Sequence, residues 1–237
     1  MNAFERKIML VRWSCMSDSR EAAETSASPP VSLATLGEQF RPAILSVLVL
    51  TMLTGCAFPL LLFAIARPVF PRQTSGSLVR SRGAVIGSEI IGQEFTRPEY
   101  FQSRPSAAGS GYDGTASGGT NVGPNNPKLV NGSADFAGIR QLAEEYRQRN
   151  GLASDAAIPI DAVTRSGSGL DPHISLANAL LQVPRVARAR GLSEEVVRRL
   201  VMDHLERRQL GFLGNPRVSV LGLNLALEQI APLRTSR

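Results

Sequence analysis

The stretch AILSVLVLTMLTGCAFPLLLFAIA, residues 43–66, decides how this chain is organised. It holds no charged residue, and Arg41 and Arg67 flank it. At about 1.5 Å per residue, a helix of this length covers a hydrocarbon core about 30 Å thick. Thirteen of its residues are Ile, Leu, Val or Phe, and such residues together favour insertion by roughly 4 to 8 kcal/mol. The stretch therefore predicts a transmembrane helix over residues 41–67.

The same stretch contains a possible cleavage site. The residues LTGC, ending at Cys56, match the small-residue box at which bacterial lipoprotein signal peptides are cut. Cleavage there would leave a lipid-anchored periplasmic protein, binding or hydrolytic, that spans nothing. A signal peptide has an apolar core of about 7 to 15 residues and then a polar mature start, whereas AFPLLLFAIA follows Cys56. We expect the spanning helix and keep the processed form as the alternative.

Small residues on the predicted helix suggest a contact with another helix. Pro59 frees the carbonyl of Gly55, which predicts a kink. Thr51, Gly55 and Pro59 share one face, and small residues let a second helix approach closely. A bare anchor with small residues by chance explains the pattern equally well.

The orientation of the predicted span is left open by the sequence. Arginines are more frequent after the span than before it, which by the positive-inside rule favours a cytoplasmic soluble domain. Long translocated domains are partly exempt from that rule, so a soluble domain on the other side is also allowed.

The rest of the chain predicts one soluble domain of mixed structure. Residues 1–40 include the polar run SDSREAAETSASPP, which predicts a disordered tail. Residues 68–237 are numerous enough to bury one core. Periodicity and capping residues predict a strand or hairpin within 78–95 and helices from Ser133 to Asn150, from Ser175 with a break or new start at Pro184, and after Ser193. The helix after Ser193 is predicted to bury Val197, Leu200, Val201 and Leu205 on one face. A strand is predicted through Val218 and Val220. Strands and helices without regular alternation indicate an α+β fold: a single N-terminal transmembrane helix followed by one soluble mixed α/β domain.

Composition argues against several function classes. The formal charge of +6 lies wholly within residues 67–237, where acids are interspersed with the basic residues and aromatics are scarce. Such a surface is unlike a nucleic-acid stacking surface. Cys15 and Cys56 lie in different segments and lack the spacing of metal ligands. The sequence therefore predicts neither nucleic-acid binding nor a disulfide framework.

Two motif-like patterns in the soluble part are weak. Glycines 109, 111 and 114 satisfy G-x-G-x-x-G, but no helix start follows them, so a glycine-rich loop is the better interpretation. Ser168, Asp171 and His173 supply the three residue types of a hydrolytic triad, yet they lie within six residues and lack the G-x-S-x-G box. We interpret Asp171 as a turn residue and His173 as a packed or solvent-facing imidazole.

Gln182 precedes Pro184 on the second predicted helix. Its amide could donate to and accept from a base edge or the backbone of a partner. An exposed helical glutamine is the more ordinary interpretation of the same residue.

Several ordered motifs resemble one family. The stretches RPAILSVLVLTMLTGCAFPLLL, GSEIIGQEF, YFQSRPSAAG, GYDGTASGGTNVGPNNP, SGSGLDPHIS, QVPRVARARGL and VSVLGLNLALEQ resemble, in order, the small C subunit (KdpC) of the bacterial Kdp potassium-transporting P-type ATPase. The resemblance runs from about Arg41 to Gln229. Residues 1–39 lie outside the family pattern, and Cys56 stands where the family commonly has an apolar residue.

The resemblance implies a non-catalytic accessory subunit, so that any enzyme activity belongs to the complex. The implied partners are the potassium-binding channel-like subunit, the ATP-hydrolysing P-type subunit, a small single-span subunit and the membrane. The family subunit is needed for assembly and is described as a catalytic chaperone that raises the affinity for ATP, the implied cofactor. The D-K-T-G motif of P-type pumps is absent from this chain.

The resemblance also implies a location and candidate contacts. The location is the bacterial inner membrane, with the soluble domain on the periplasmic face, where any effect of Gln182 on ATP would be indirect. Gln182 is the candidate nucleotide contact. The candidate partner contacts are Thr51, Gly55 and Pro59 on the span, and Ser103, Arg104, Pro105, Asn121, Gly123, Pro124, Asn125 and Pro127 in the glycine-rich loop.

Overall fold

The computed structural model describes residues 33–81 and 83–233. The chain divides into two compact units, with the boundary between Val69 and Phe70. The predicted disordered tail lies outside the described residues as far as residue 32. The remainder of that predicted tail is helical, since α1 already begins at Leu33.

The first unit is a long apolar helix. It consists of α1 (Leu33–Thr51), one π-helical turn (Met52–Ala57) and α2 (Phe58–Val69). Residues Gly37–Val69 form 33 continuous helical residues that are long and apolar enough to cross a membrane. The helix is longer than the predicted 41–67 because Glu38 and Gln39 are good helix formers and nothing before Arg41 stops it. The apolar helix extends through Cys56 to Val69, so no polar segment directly follows Cys56.

The π-helical turn lies directly before Pro59. A proline has no N–H to donate to the carbonyl four residues earlier, so an α-helix is interrupted there. Here the Phe58 N–H donates to the Leu53 carbonyl, five residues back. The Thr54 hydroxyl donates to the Leu50 carbonyl at 2.7 Å. The predicted interruption at Pro59 thus takes the form of a widened turn.

The second unit begins with a short helix and a hairpin. Helix α3 (Pro71–Thr74) precedes β1 (Leu78–Ser81) and β2 (Ala84–Ser88), which pair antiparallel. Of the predicted strand or hairpin, the structure forms the hairpin. A Cβ at Gly87 would lie 2.1 Å from Oε1 of Gln93, so a larger residue there would displace the Gln93 side chain, whose amide donates to the Ile86 carbonyl at 2.9 Å.

The glycine-rich segment, residues 101–129, is ordered by a second loop. The Gly118 N–H donates to the Ser168 carbonyl at 3.0 Å, and the Ser106 hydroxyl donates to the Gly169 carbonyl at 2.6 Å. Gly169 has a φ of +70°, and a Cβ there would lie 2.6 Å from the Ala108 nitrogen. The two loops interlock at distances that exclude a side chain.

Five helices and a small sheet complete the domain. The helices are α4 (Pro127–Asn131), α5 (Ile139–Asn150), α6 (Leu176–Arg190), α7 (Glu194–Asp203) and α8 (Val220–Ile230). A 3₁₀ turn lies at Ile160–Ala162. Strands β3 (His173–Ser175), β4 (Leu205–Glu206) and β5 (Arg217–Ser219) form an antiparallel sheet in the order β3-β5-β4. The predicted α+β class with one long apolar N-terminal helix is confirmed.

The main core lies between α6, α7, α8 and the small sheet. Its fully buried members include Phe101, Val183, Val186, Val197, Val201, Val218, Leu223 and Leu227. A second cluster surrounds Tyr146, Ala162 and Val163. Phe101 comes from the glycine-rich segment, so the core depends on that segment staying in place.

Helix boundaries differ from the predictions at two places. Helix α5 begins after Gly138 rather than after Ser133, because Ser133 and Phe136 form a tight turn. Helix α6 begins after Ser175 as predicted, but it passes through Pro184 without a break. Burial of Val183 and of the next turn of α6 in the core outweighs the hydrogen bond that the proline removes.

The predicted strand and the predicted face of α7 also need correction. Val218 lies in β5, but Val220 is the first residue of α8, whose N-cap is Ser219. Leu205, predicted on the buried face of α7, belongs to β4 and packs against the core from there. In each case the sequence pattern extends the element too far. A capping serine ends the strand before Val220, and strand pairing ends the helix before Leu205.

Candidate functional site

Two side-chain amides bind the backbone of the glycine-rich segment inside the core. Asn224 on α8 accepts the Phe101 N–H at 2.8 Å and donates to the Phe101 carbonyl at 2.9 Å. Gln182 on α6 accepts the Gln102 N–H at 2.8 Å and donates to the Gln102 carbonyl at 3.2 Å. Buried backbone groups without a partner are costly, and no strand in the described part of the chain pairs with this segment. The two amides therefore replace a sheet ladder.

Arg185 extends this polar cluster to the turn at Pro98 and Tyr100. Its guanidinium donates to Oδ1 of Asn150, Oε1 of Gln182 and the carbonyls of Pro98 and Tyr100. All four acceptors are neutral, and Arg185 forms no ion pair among the described residues. Burial lowers the pKa of Arg185 to about 10. The arginine thus fixes the turn that leads into the glycine-rich segment.

Gln182 is 1% exposed, so the expectation of an exposed helical glutamine is wrong. Its amide also donates to Oδ1 of Asn178 at 2.9 Å. A nucleotide could reach this amide only after bonds to Gln102 and Asn178 had broken. The predicted nucleotide contact stays a prediction, and it requires an opened domain.

Sequence reasoning missed Asn178 and Arg185 as partners of Gln182, and Asn224 as the partner of Phe101. Asn224 stands within the apolar run VLGLNLAL, and Gln182 stands within ALLQV. The sequence did carry one signal of such residues: each is polar at a position where helical periodicity predicts an apolar side chain. The partner of each amide was not readable, because the bonded backbone lies 80 or more positions away in the chain.

The small residues of the span lie on an open face. The Cβ that would be added at Gly55 meets a single atom within 4 Å, Cγ2 of Thr51 at 3.9 Å. Thr51, Gly55 and Pro59 are exposed in this unit. The position therefore has room for a larger side chain within the isolated helix, and any restriction on size must come from a neighbour.

A shallow apolar groove follows the π-helical turn on the adjoining side of the helix. It is lined by Leu48, Val49, Met52, Leu53, Cys56, Ala57 and Leu60. The predicted interface did not include these residues. Cys56, a free and exposed thiol, lies in this groove.

The candidate contacts at residues 103–105 are partly used within the domain. The Ser103 hydroxyl donates to the Gln93 carbonyl at 2.8 Å, and Arg104 forms a 2.7 Å ion pair with Asp171. Ser103 and Pro105 line a cleft of about 460 Å³ next to Tyr112. These side chains position the loop, and part of each is left accessible.

The candidate contacts at 121–127 lie on the surface. Asn121, with a φ of +52°, and Pro124 are exposed, as are Gly123, Asn125 and Pro127. Asn126 caps α4 by accepting the Lys128 N–H at 2.9 Å. The structure thus separates the candidate loop residues into a partly buried group and an exposed one.

The triad residue types do not assemble. The Ser168 hydroxyl accepts the Leu170 N–H at 3.1 Å and makes no hydrogen bond to His173 among the described residues. His173 lies between two carboxylates, with Nδ1 3.6 Å from Asp171 and Nε2 3.5 Å from Glu206. Without a serine–histidine contact there is no activated nucleophile here. Among the described residues there is also no group of three metal-binding side chains.

Asp171 instead joins two loops to the sheet. It accepts the His173 N–H at 3.0 Å and the guanidinium of Arg104. Burial by itself would raise its pKa, but the hydrogen bonds from His173 and Arg104 lower the pKa of Asp171 to about 2. The carboxylate is therefore a structural anion.

Known proteins match nearly all of the described chain. A family model described as "K+-transporting ATPase, c chain" matches residues 40–229. A relative from Sorangium cellulosum is 54% identical over 189 residues, which cover 79% of this chain and 96% of that protein. A relative from Mycobacterium tuberculosis is 48% identical over 192 residues, 81% of this chain and 98% of that protein. Both bear the name potassium-transporting ATPase KdpC subunit.

Replacing Gln182 tests the amide-to-backbone bonds. Gln182→Ala leaves the buried N–H and carbonyl of Gln102 without partners, so we expect the free energy of unfolding to fall by about 2 to 4 kcal/mol. Urea unfolding of the detergent-solubilised chain measures it. Gln148→Ala, on an exposed face of α5, is the control and should change stability by less than about 0.5 kcal/mol. Equal stability of the two variants would contradict the structural role.

Replacing Asp171 tests whether its carboxylate stabilises the fold, because that contribution to the free energy of unfolding depends on pH. A carboxylate with a lowered pKa stabilises the fold above its unfolded pKa of about 3.9, and this contribution is lost as the pH falls through the folded value. We expect Asp171→Asn to cost about 1 to 2 kcal/mol at neutral pH and to converge with the wild type toward pH 2. Unfolding curves measured across this range test it, with the exposed Asp155→Asn as the control. A difference independent of pH would refute the assignment.

Proposed function

Because the chain belongs to the KdpC family, the c chain of K+-transporting ATPases, we propose that it is an accessory subunit that helps to assemble a bacterial potassium-uptake complex. In this proposal one transmembrane helix anchors the chain in the inner membrane. The single observation that carries the proposal is the exposed helix Gly37–Val69. No residue in its most apolar stretch is buried against the rest of the chain. Such a surface needs lipid and neighbouring helices around it.

The proposed partners within the membrane pack on the face of Thr51, Gly55 and Pro59. Helices associate in lipid through close packing of small residues rather than through the hydrophobic effect. The open space at Gly55 supports this choice of face. The proposed partners are a potassium-binding channel-like subunit, an ATP-hydrolysing P-type subunit and a small single-span subunit.

The soluble domain supports a non-catalytic role. The buried amides of Gln182 and Asn224 bind backbone groups of the same domain, and the three triad residue types serve loop structure. The candidate loop contacts at 103–105 and 121–127 are presented on this stable framework. We propose that they touch another subunit of the complex.

Beyond assembly, the proposal includes an effect of this chain on the affinity of the complex for ATP. Gln182 is occupied by Gln102 and Asn178, so we propose that the chain raises the ATP affinity of the hydrolysing subunit through its conformation, without a direct nucleotide contact. This agrees with a soluble domain on the periplasmic face, where ATP is not supplied. Processing at Cys56 is not favoured, because the apolar helix continues through it to Val69.

The span face is tested by enlarging Gly55. We expect Gly55→Leu to reduce co-purification of this chain with the ATP-hydrolysing subunit about tenfold, because a larger side chain blocks close approach of a helix. The same preparations give the KM for ATP, which we expect to rise as the chain is lost. Ala64→Leu, a similar enlargement at another exposed position of the helix, is the control. Equal recovery of both variants would remove this face from the interface.

The orientation is tested by labelling. With Cys15 and Cys56 replaced by serine, we expect a cysteine introduced at the exposed Ser110 to react with a membrane-impermeant thiol reagent in intact spheroplasts. Lysed cells give the maximal labelling, and a cysteine in a known cytoplasmic protein gives the background. Reaction of Ser110→Cys after lysis alone would place the domain in the cytoplasm.

A further inference from the structure

A turn between β4 and β5 presents large apolar side chains to solvent. We call residues 207–214 the apolar turn. Leu210 is 83% exposed, Phe212 69% and Leu213 48%. Scattered exposed apolar residues are ordinary, but three within four positions form a patch. No other described part of the domain covers these side chains.

The apolar turn is held in one shape by its own backbone. The Gln209 N–H donates to the Leu213 carbonyl at 3.0 Å, and the Leu213 N–H donates back to Gln209 at 2.9 Å. Leu210 has a φ of +53° and Gly211 a φ of +83°. A leucine in the left-handed region is uncommon and costs energy. The fold therefore maintains these side chains in solvent against a local cost.

Two arginines give the apolar turn a positive edge. Arg207 and Arg208 are exposed and form no ion pair among the described residues. The carboxylate adjoining them in sequence, Glu206, is bound by Arg217 at 2.9 Å and lies 3.5 Å from His173. The two guanidinium groups are thus available to acidic groups of another molecule.

We propose that the apolar turn is a docking element for another protein subunit of the potassium-transporting complex, one that offers an apolar pocket rimmed by carboxylates. The proposal rests on the proposed function. Phe and Leu side chains on a preorganised turn lose little entropy on binding and can fill a pocket, and the arginines pair with its rim.

Two other occupants fit less well. A second copy of this chain docking turn against turn would bring like charges of Arg207 and Arg208 together. A lipid surface accepts flexible loops and does not require a strained, internally bonded turn. The rigid shape therefore favours a protein pocket.

Competition during assembly tests the proposal with the full chain. Wild type and a variant, each with its own tag, are co-expressed with the other subunits of the complex, and the complex is recovered through the ATP-hydrolysing subunit. We measure the ratio of variant to wild type in the recovered complex and divide it by the same ratio in the membranes before recovery. This quotient is near one when the variant assembles as well as the wild type. For Phe212→Ser we expect this quotient to fall about 30-fold. Ile160→Ser, which removes a 69% exposed apolar side chain from the 3₁₀ turn, should stay near one.

A charge variant gives a second measurement. Arg207→Glu with Arg208→Glu should also lower the quotient, and raising the salt concentration should reduce that difference. Circular dichroism and thermal unfolding of each variant, compared with the wild type, are the control for an intact fold, and we expect them to match.

The outcomes separate the proposal from the proposed function. A quotient near one for Phe212→Ser overturns the docking element while recovery of wild type upholds the subunit role. Failure to recover wild type with the ATP-hydrolysing subunit overturns the proposed function itself. Quenching of a fluorophore at Leu210→Cys by brominated lipids, with normal assembly, assigns the turn to lipid and overturns the proposal. Crosslinking of Leu210→Cys to a second copy of this chain overturns it as well.

Discussion

The soluble domain depends on two buried amides that act as peptide groups. Asn224 and Gln182 satisfy both backbone groups of Phe101 and of Gln102. Phe101 is fully buried in the main core, so its backbone is out of reach of water. An extended segment can enter a helical core only if its N–H and carbonyl groups are paired. The two amides meet this requirement in place of a strand, since none of the described strands pairs with this segment.

The rest of the domain follows from holding that segment. Arg185 fixes the turn before it, and the loop after it interlocks with Ser168 and Gly169 through close backbone contacts. Asp171 then ties this second loop to Arg104. Residues that look catalytic or nucleotide-binding in the sequence are thereby used to build a stable framework. The surfaces that remain for function are the exposed helix, the outer loop residues and the apolar turn.

Several features were predictable because local physics determines them. The length and hydropathy of residues 43–66 predict the long apolar helix, Pro59 predicts its interruption, and Ser175 and Ser193 predict the starts of α6 and α7. The hairpin at 78–88 follows from β-branched residues between glycines. Local pattern failed at Pro184, Ser133 and Val220, where core packing, a tight turn and a serine cap decided the boundaries.

The sequence by itself determined the family, the apolar helix and the α+β class, because ordered motifs, hydropathy and capping residues act over short stretches of chain. The tertiary structure alone decided what Gln182, Asn224, Arg185 and Asp171 do. Their partners lie far away in the sequence, and a side-chain amide carries no local sign of the backbone that it will bind. The tertiary structure also decided that the apolar side chains of the apolar turn are exposed, because the packing of the whole domain determines which apolar residues are covered.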